Sequence, residues 1–244
     1  AISTCPSNYF SAMGSDLDMV IPTSKSTAID AAIEASRRTW RDRDNPEVWE
    51  RYDTAARIAR VLDRGPLTVA ELYLNASWTA RDKAVGVYVG GLAGPEAARQ
   101  ILDIGSKELE GDLDPEKLKL MRYNLARVAH RGGFSAERDT HLNAYLKLTT
   151  LTESERAAGL RLRKISRDIE PALQAHAIMA LKEALSNEEN PEKLILARYQ
   201  LADLQRRIGQ FDAARKDFHQ VVQSTDAPKE LKTMAGFLLT ELGK

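Results

Sequence analysis

Apolar positions in this chain recur every three to four residues over segment after segment, the period of helices that bury one face and expose the other. The first helix is predicted from about Ala28 to Trp40, where Ile29, Ala32, Ile33 and Trp40 share a face behind a cap at Ser26 or Thr27. Asn45-Pro46-Glu47 opens a second by placing an N-cap, a proline at the first helical position and an acid in the first turn. It runs through Trp49, Tyr52, Ala56 and Ala59 until Gly65-Pro66. Thr68 begins a third, through Leu72 and Trp78 to about Val85, and Pro95 begins a fourth, to about Leu109. The helix-start chemistry of Asn45-Pro46-Glu47 returns at Asp114-Pro115-Glu116 and Asn190-Pro191-Glu192, each ahead of an alanine-rich apolar helix. Further helices are expected over 135–149, 153–165, 169–185, 212–223 and 229–242.

The helices repeat in sequence as well as in period. Arg122-Tyr123-Asn124-Leu125-Ala126 matches Arg198-Tyr199-Gln200-Leu201-Ala202, and each run is followed by a glycine and then a phenylalanine, Gly133-Phe134 and Gly209 with Phe211. Leu72-Tyr73-Leu74-Asn75-Ala76 is a weaker third copy. From Ala197 to Val222, Leu201, Ala202, Gly209, Phe211, Ala214, Phe218 and Val221 fall at the offsets of a tetratricopeptide repeat, which this stretch resembles. It departs from that pattern at Gln205, where a tyrosine is usual, and in its late proline, Pro228. The resemblance implies an all-α fold: a TPR-like right-handed stack of antiparallel helix hairpins, an α-solenoid over 26–244, preceded by an extended N-terminal arm over 1–25. Repeats that cannot bury their faces alone need neighbours, so at least three stacked hairpins are expected. Gly209 should end its helix in the left-handed conformation.

In such an array the first helix of each hairpin lines the inner groove, which implies a set of partner-binding residues. Tyr73, Tyr123 and Tyr199 fall at one offset; Ser77, Arg127 and Asp203 at the next inward; Arg81, His130 or Arg131, and Arg206 or Arg207 about a turn later. Tyrosines beside guanidinium forks suit an extended peptide or partner protein carrying acidic groups or a free C-terminal carboxylate. The expected function is therefore a non-enzymatic protein-interaction scaffold with no cofactor. Two other classes stay open: a cell-envelope structural or assembly factor, and an enzyme with a site between the arm and the first helices around Trp40, Trp49 and Trp78.

Composition and charge narrow the alternatives. Charged residues make up 29% of 244 residues and balance to zero net charge, so the basic footprint of a nucleic-acid binder is absent. No stretch has the length and apolarity of a transmembrane helix. Gly86, Gly90, Gly91 and Gly94 lack the lysine and serine of a phosphate loop and are read as a flexible connection between repeats. The four histidines, His130, His141, His176 and His219, lie on different predicted helices and show no metal-ligand spacing; His130 and His141 could meet across one hairpin but are expected at a surface or edge. Acids such as Asp16, Asp18, Glu188 and Glu189 are read as solvated or capping.

Residues 1–24 carry no lysine or arginine, and Cys5 is the only cysteine, so no disulfide forms within the chain. Cys5 reads as a small buried side chain; Ile2-Ser3-Thr4-Cys5 is a poor lipid-attachment signal, and Cys5-Pro6 lacks a second cysteine for zinc. An alanine at position 1 is the start that removal of an initiator methionine, removal of an export signal or a shortened chain would each leave, so the compartment, cytoplasm or periplasm, stays open. Cys5-Pro6 with Tyr52, Ala55-Ala56-Arg57-Ile58-Ala59 and Leu72 to Asp82 resembles an uncharacterised bacterial family that joins a Cys-Pro-x-Cys-like start to tetratricopeptide helices. Asn8 stands where its second cysteine would be. That resemblance implies a bacterial helical scaffold and no catalytic activity.

Overall fold

The computed structural model describes residues 2–5, 7–14, 20–85 and 95–243, and of 82–85, 95 and 96 the backbone alone. The glycine-bearing segment 86–94, Asp16 and Asp18 lie outside the described residues. The described chain is all-α apart from one short hairpin. After β1 (Ile2–Thr4) and β2 (Ser11–Met13) come α1 (Ser26–Arg37), α2 (Val48–Val61), α3 (Pro66–Val85), α4 (Pro95–Glu108), α5 (Pro115–Gly132), α6 (Ser135–Leu146) and α7 (Glu153–Lys164). A π-helical turn (Ile165–Ile169) leads into α8 (Glu170–Asn187), followed by α9 (Pro191–Arg207), α10 (Phe211–Gln223) and α11 (Lys229–Leu242). None of the described helices is long and apolar enough to cross a membrane. The chain divides into two compact units, residues 1–77 with 172–244, and residues 78–171.

In the first unit, β1 and β2 pair antiparallel with Ile2 opposite Met13 and Thr4 opposite Ser11. Tyr9 adopts φ 60° in the turn, and the Asn8 side chain accepts a hydrogen bond from the Phe10 amide at 3.1 Å, a local bond that supports the left-handed residue. Tyr9 and Phe10 then pack on Ile29, Ile33 and Ile58 of α1 and α2. Within the segment expected as an extended arm, residues 2–13 thus form a hairpin docked on α1 and α2, because Tyr9 and Phe10 complete that core. Helix α2 starts two residues later than Pro46 would place it. The buried Glu50 carboxylate accepts from the Glu47 amide at 2.6 Å and from the Arg41 amide at 2.9 Å, which fixes Glu47 as the cap and leaves Asn45 and Pro46 in the preceding loop.

Helices α9, α10 and α11 share a core of Ala202, Ala214, Phe218, Val221 and Ala235. Small residues of one helix lie against the ring of the next, as the interlocking pattern requires; Phe211, at the first position of α10, is instead 49% exposed. Asn190 caps α9 by accepting from the Lys193 amide at 3.2 Å, with Pro191 at the first helical position. Gly209 ends it at φ 81°, where the Gly209 amide donates to Arg206 O and the Gln210 amide to Gln205 O. That pair of bonds satisfies two carbonyls that a helix end otherwise leaves unpaired.

The second unit repeats this stop. Gly133 has φ 80°, with its amide donating to His130 O and the Phe134 amide to Ala129 O. Asp114 caps α5 through the Glu116 and Lys117 amides at 3.0 and 2.9 Å. The apolar periodicity predicts two helices over 153–165 and 169–185, whereas the backbone stays helical throughout and widens into the π turn between them. Pro171 is the reason. It has no amide to donate, so the Glu170 amide bonds Ile165 O and the Ser166 carbonyl loses its partner in the widened turn. Arg138 of α6 fills that vacancy, its Nη1 donating to Ser166 O at 3.4 Å.

Candidate partner-binding surface

Helix α5 begins Pro115-Glu116-Lys117-Leu118-Lys119-Leu120-Met121, and residues two apart on a helix cannot share one buried stripe. Leu118 is half-buried, and Leu120 is therefore left 63% exposed. On the neighbouring α4 the same conflict buries Leu102 at 2% exposure and leaves Ile104 at 61%. The two helices pack through Ala98, Leu102, Leu125, Val128 and Ala129. They approach so closely at Gly105 that a Cβ there would come within 2.5 Å of Leu125. Beside that contact a groove of about 360 Å³ opens, lined chiefly by Ile101, Ile104, Leu120, Met121 and Leu125.

A second groove, of about 570 Å³, lies on the other side of α5 against α6 and α7, with Leu120 and Lys117 common to both. Its floor holds Tyr123 and Tyr145, ring centroids 5.1 Å apart and tilted by 37°. The Tyr145 hydroxyl donates to the Glu155 carbonyl at 3.0 Å, and burial pushes its phenol pKa up. Lys119 ties α5 to α7, with Nζ 2.8 Å from Glu116 and 3.2 Å from Glu155; the hydrogen bond it donates to Glu116 is the main cause of its raised pKa. One turn beyond Tyr123, the Arg127 guanidinium lies 5.5 Å from that ring and donates to Asn124 Oδ1 at 3.4 Å. Its Nε is buried without a partner, and burial lowers its pKa.

The nine residues expected to line one groove have different surroundings. Tyr123, Arg127 and the exposed Arg131 follow one another along α5 in the second unit. Arg81, in the same unit, is bound by Glu170, with Nε 2.7 Å from Oε1. In the first unit, Tyr73 is 4% exposed, its ring 4.9 Å from that of His176. Tyr199 stacks edge-on against Phe218 at 5.8 Å. Asp203 holds both Arg206 and Arg207, at 2.8 and 2.7 Å. Three of the arginines expected to meet an acidic partner are therefore engaged by the chain's own carboxylates.

Two histidines expected at surfaces are buried. His130 is 5% exposed, with Nε2 3.1 Å from Glu170 Oε2 but outside hydrogen-bond alignment, and His141 is 6% exposed beside Arg122 Nη1 at 3.3 Å. Charged neighbours, invisible to a helix-face pattern, hold them inside. Burial raises the Glu170 carboxyl, but His130 and Arg81 outweigh it and hold the group below its ordinary value. The tryptophans named for an enzymatic site are Trp40 and Trp49, each 7% exposed, and Trp78 at 40%; the Trp49 indole donates to Glu47 at 2.8 Å.

The repeat alignment points to Tyr123 but not to Ile104, Leu120, Met121 or Tyr145, which also line the grooves. The signal for the first two was an apolar side chain off the buried stripe; Tyr145 had none, since its place beside Tyr123 depends on how α5 meets α6. No family model, curated protein or solved structure matches the chain.

Proposed function

We propose that this protein is a non-enzymatic, TPR-like helical-repeat scaffold that engages a partner protein along α5. The observation that carries this reading is Leu120, exposed on a ridge between two grooves, with Tyr123 and Tyr145 in one and Ile104 beside the other. The half-buried Tyr123 ring, backed by the buried Tyr145, supplies contact area at low entropic cost, and an apolar side chain kept in water favours burial by a partner. Helices packed through small residues present these grooves before any ligand arrives, which lowers the cost of binding. The expectation of an acidic partner is not carried forward, because Arg81, Arg206 and Arg207 already face Glu170 and Asp203.

Affinity capture from a bacterial lysate, with wild type beside Leu120→Glu and Arg127→Ala, tests the scaffold reading. The reading expects a partner captured by wild type and lost from Leu120→Glu, with helical circular dichroism unchanged. A partner kept at full yield by both variants would move the interface off α5 and overturn it.

A further inference from the structure

The turn from α4 into α5 runs past the ends of both grooves, with Glu108 lining the first, Asp114 and Glu116 the second and Lys117 both, and its charge is one-sided. From Lys107 to Lys117 the chain carries five carboxylates, Glu108, Glu110, Asp112, Asp114 and Glu116, against two lysines. Two of the five have work inside the fold: Asp114 caps α5, and Glu116 holds Lys119. Glu108, Glu110 and Asp112 have none. They are exposed and make no ion pair among the described residues. Glu108 and Glu110 also stand at the C-terminal end of α4, where the helix dipole disfavours negative charge and a lysine would stabilise. Helix stability therefore does not explain Glu108 and Glu110, although it explains Asp114 and Glu116 and favours Asp112, two residues ahead of the α5 cap.

Next to them lies the mostly apolar α4/α5 groove with Ile104 and Leu120 turned to water. An occupant must offer apolar anchors to that groove and positive charge at its end. We infer that the α4/α5 groove docks a basic amphipathic helix of a partner protein, its apolar face on Ile104 and Leu120 and its Lys or Arg residues against Glu108, Glu110 and Asp112. Such a helix presents anchors at i, i+3, i+4 and i+7, the spacing that an inter-helix groove accepts. An anionic membrane is a poor alternative, because the same carboxylates repel its headgroups.

The inference rests on α5 being the docking helix and adds the chemistry of what docks there. The probes are two labelled helical peptides of about five turns, identical in their leucine face, one with lysine and one with glutamate on the other face. Binding is read by fluorescence anisotropy. The lysine peptide should bind wild type at least about tenfold more tightly than the glutamate peptide, a difference of about 1.4 kcal/mol. Its affinity should fall several-fold between about 50 and 200 mM salt, as expected for screened surface charge. Leu120→Glu should abolish binding. A Glu108→Lys/Glu110→Lys/Asp112→Lys variant, which leaves every core contact in place, should weaken it about tenfold.

Equal binding of both peptides, lost in Leu120→Glu, would overturn the basic-helix inference and leave α5 as the dock. Binding untouched by Leu120→Glu would overturn both readings, and no binding of the lysine peptide would overturn the inference. Self-association in sedimentation that disappears in Leu120→Glu would assign the groove to a second copy and overturn it as well.

Discussion

Glu170 shows how much one side chain can depend on its surroundings. Its carboxylate is 3% exposed, taken up on one oxygen by Arg81 and approached on the other by His130. Removing one charge from such a buried set leaves the others uncompensated, so Glu170→Gln should lower unfolding stability at neutral pH by about 3 kcal/mol. The folded pKa lies below the unfolded one, so the contribution is whole above about pH 4.3 and fades as pH falls toward the folded value. Urea denaturation of both forms should show a gap that narrows on acidification; a gap independent of pH would mean the carboxylate is not ionised in the fold. Arg138 is the second such residue. Arg138→Met should cost about 1 to 3 kcal/mol by orphaning the Ser166 carbonyl. Adding Pro171→Ala, which restores an amide, should recover part of that loss.

At the scale of elements, the helix boundaries set by local chemistry were legible and those set by distant chemistry were not. Asp114-Pro115 and Asn190-Pro191 start α5 and α9 as their sequences dictate, because an N-cap bonds amides two and three residues away. The matching signal at Asn45-Pro46 loses to the Glu47/Glu50 capping box, whose buried Glu50 carboxylate is also held by the Arg41 amide nine residues back. The hairpin at residues 2–13 was unreadable for a similar reason: its strands are three residues each and acquire an apolar partner only when α1 and α2 meet. In the candidate site, Tyr123 came from repeat alignment, while Tyr145 and the grooves come from the meeting of α4, α5, α6 and α7.

Gly209 offers a test at this scale. A Cβ there would meet nothing within 4 Å, so only its φ of 81° penalises a side chain. Gly209→Val should destabilise by about 1 to 3 kcal/mol and Gly209→Asn by less, as thermal unfolding would show. Equal effects would point to a lost contact in place of a backbone preference.

For the whole molecule, the buried ionisable groups bound a pH range. Burial pushes His141 and His176 down, helped at His141 by Arg122 and at His176 by Arg57 and Arg60 against Asp53. The unfolded chain takes up those protons first, so stability should fall as pH drops below about 6.5. Tyr73, Tyr145 and Tyr199 are pushed up by burial, so the unfolded chain loses those protons first and stability should fall again above about pH 10. Glu71, raised by burial, opposes the acid limb, but only near its own lower range. The midpoint of thermal unfolding should therefore form a plateau between about pH 7 and 9.5, and His141→Gln should shorten its acid limb. A midpoint flat down to about pH 5 would contradict this assignment.

The docked N-terminal hairpin also has an optical consequence. Trp40 is 7% exposed, with the Tyr9 ring edge-on at 5.5 Å and Arg37 over the other partner of that pair at 4.2 Å. Lifting the hairpin would wet one indole of three and leave the helices intact. Emission that shifts to the red while ellipticity holds steady would be the spectral mark of these first residues letting go.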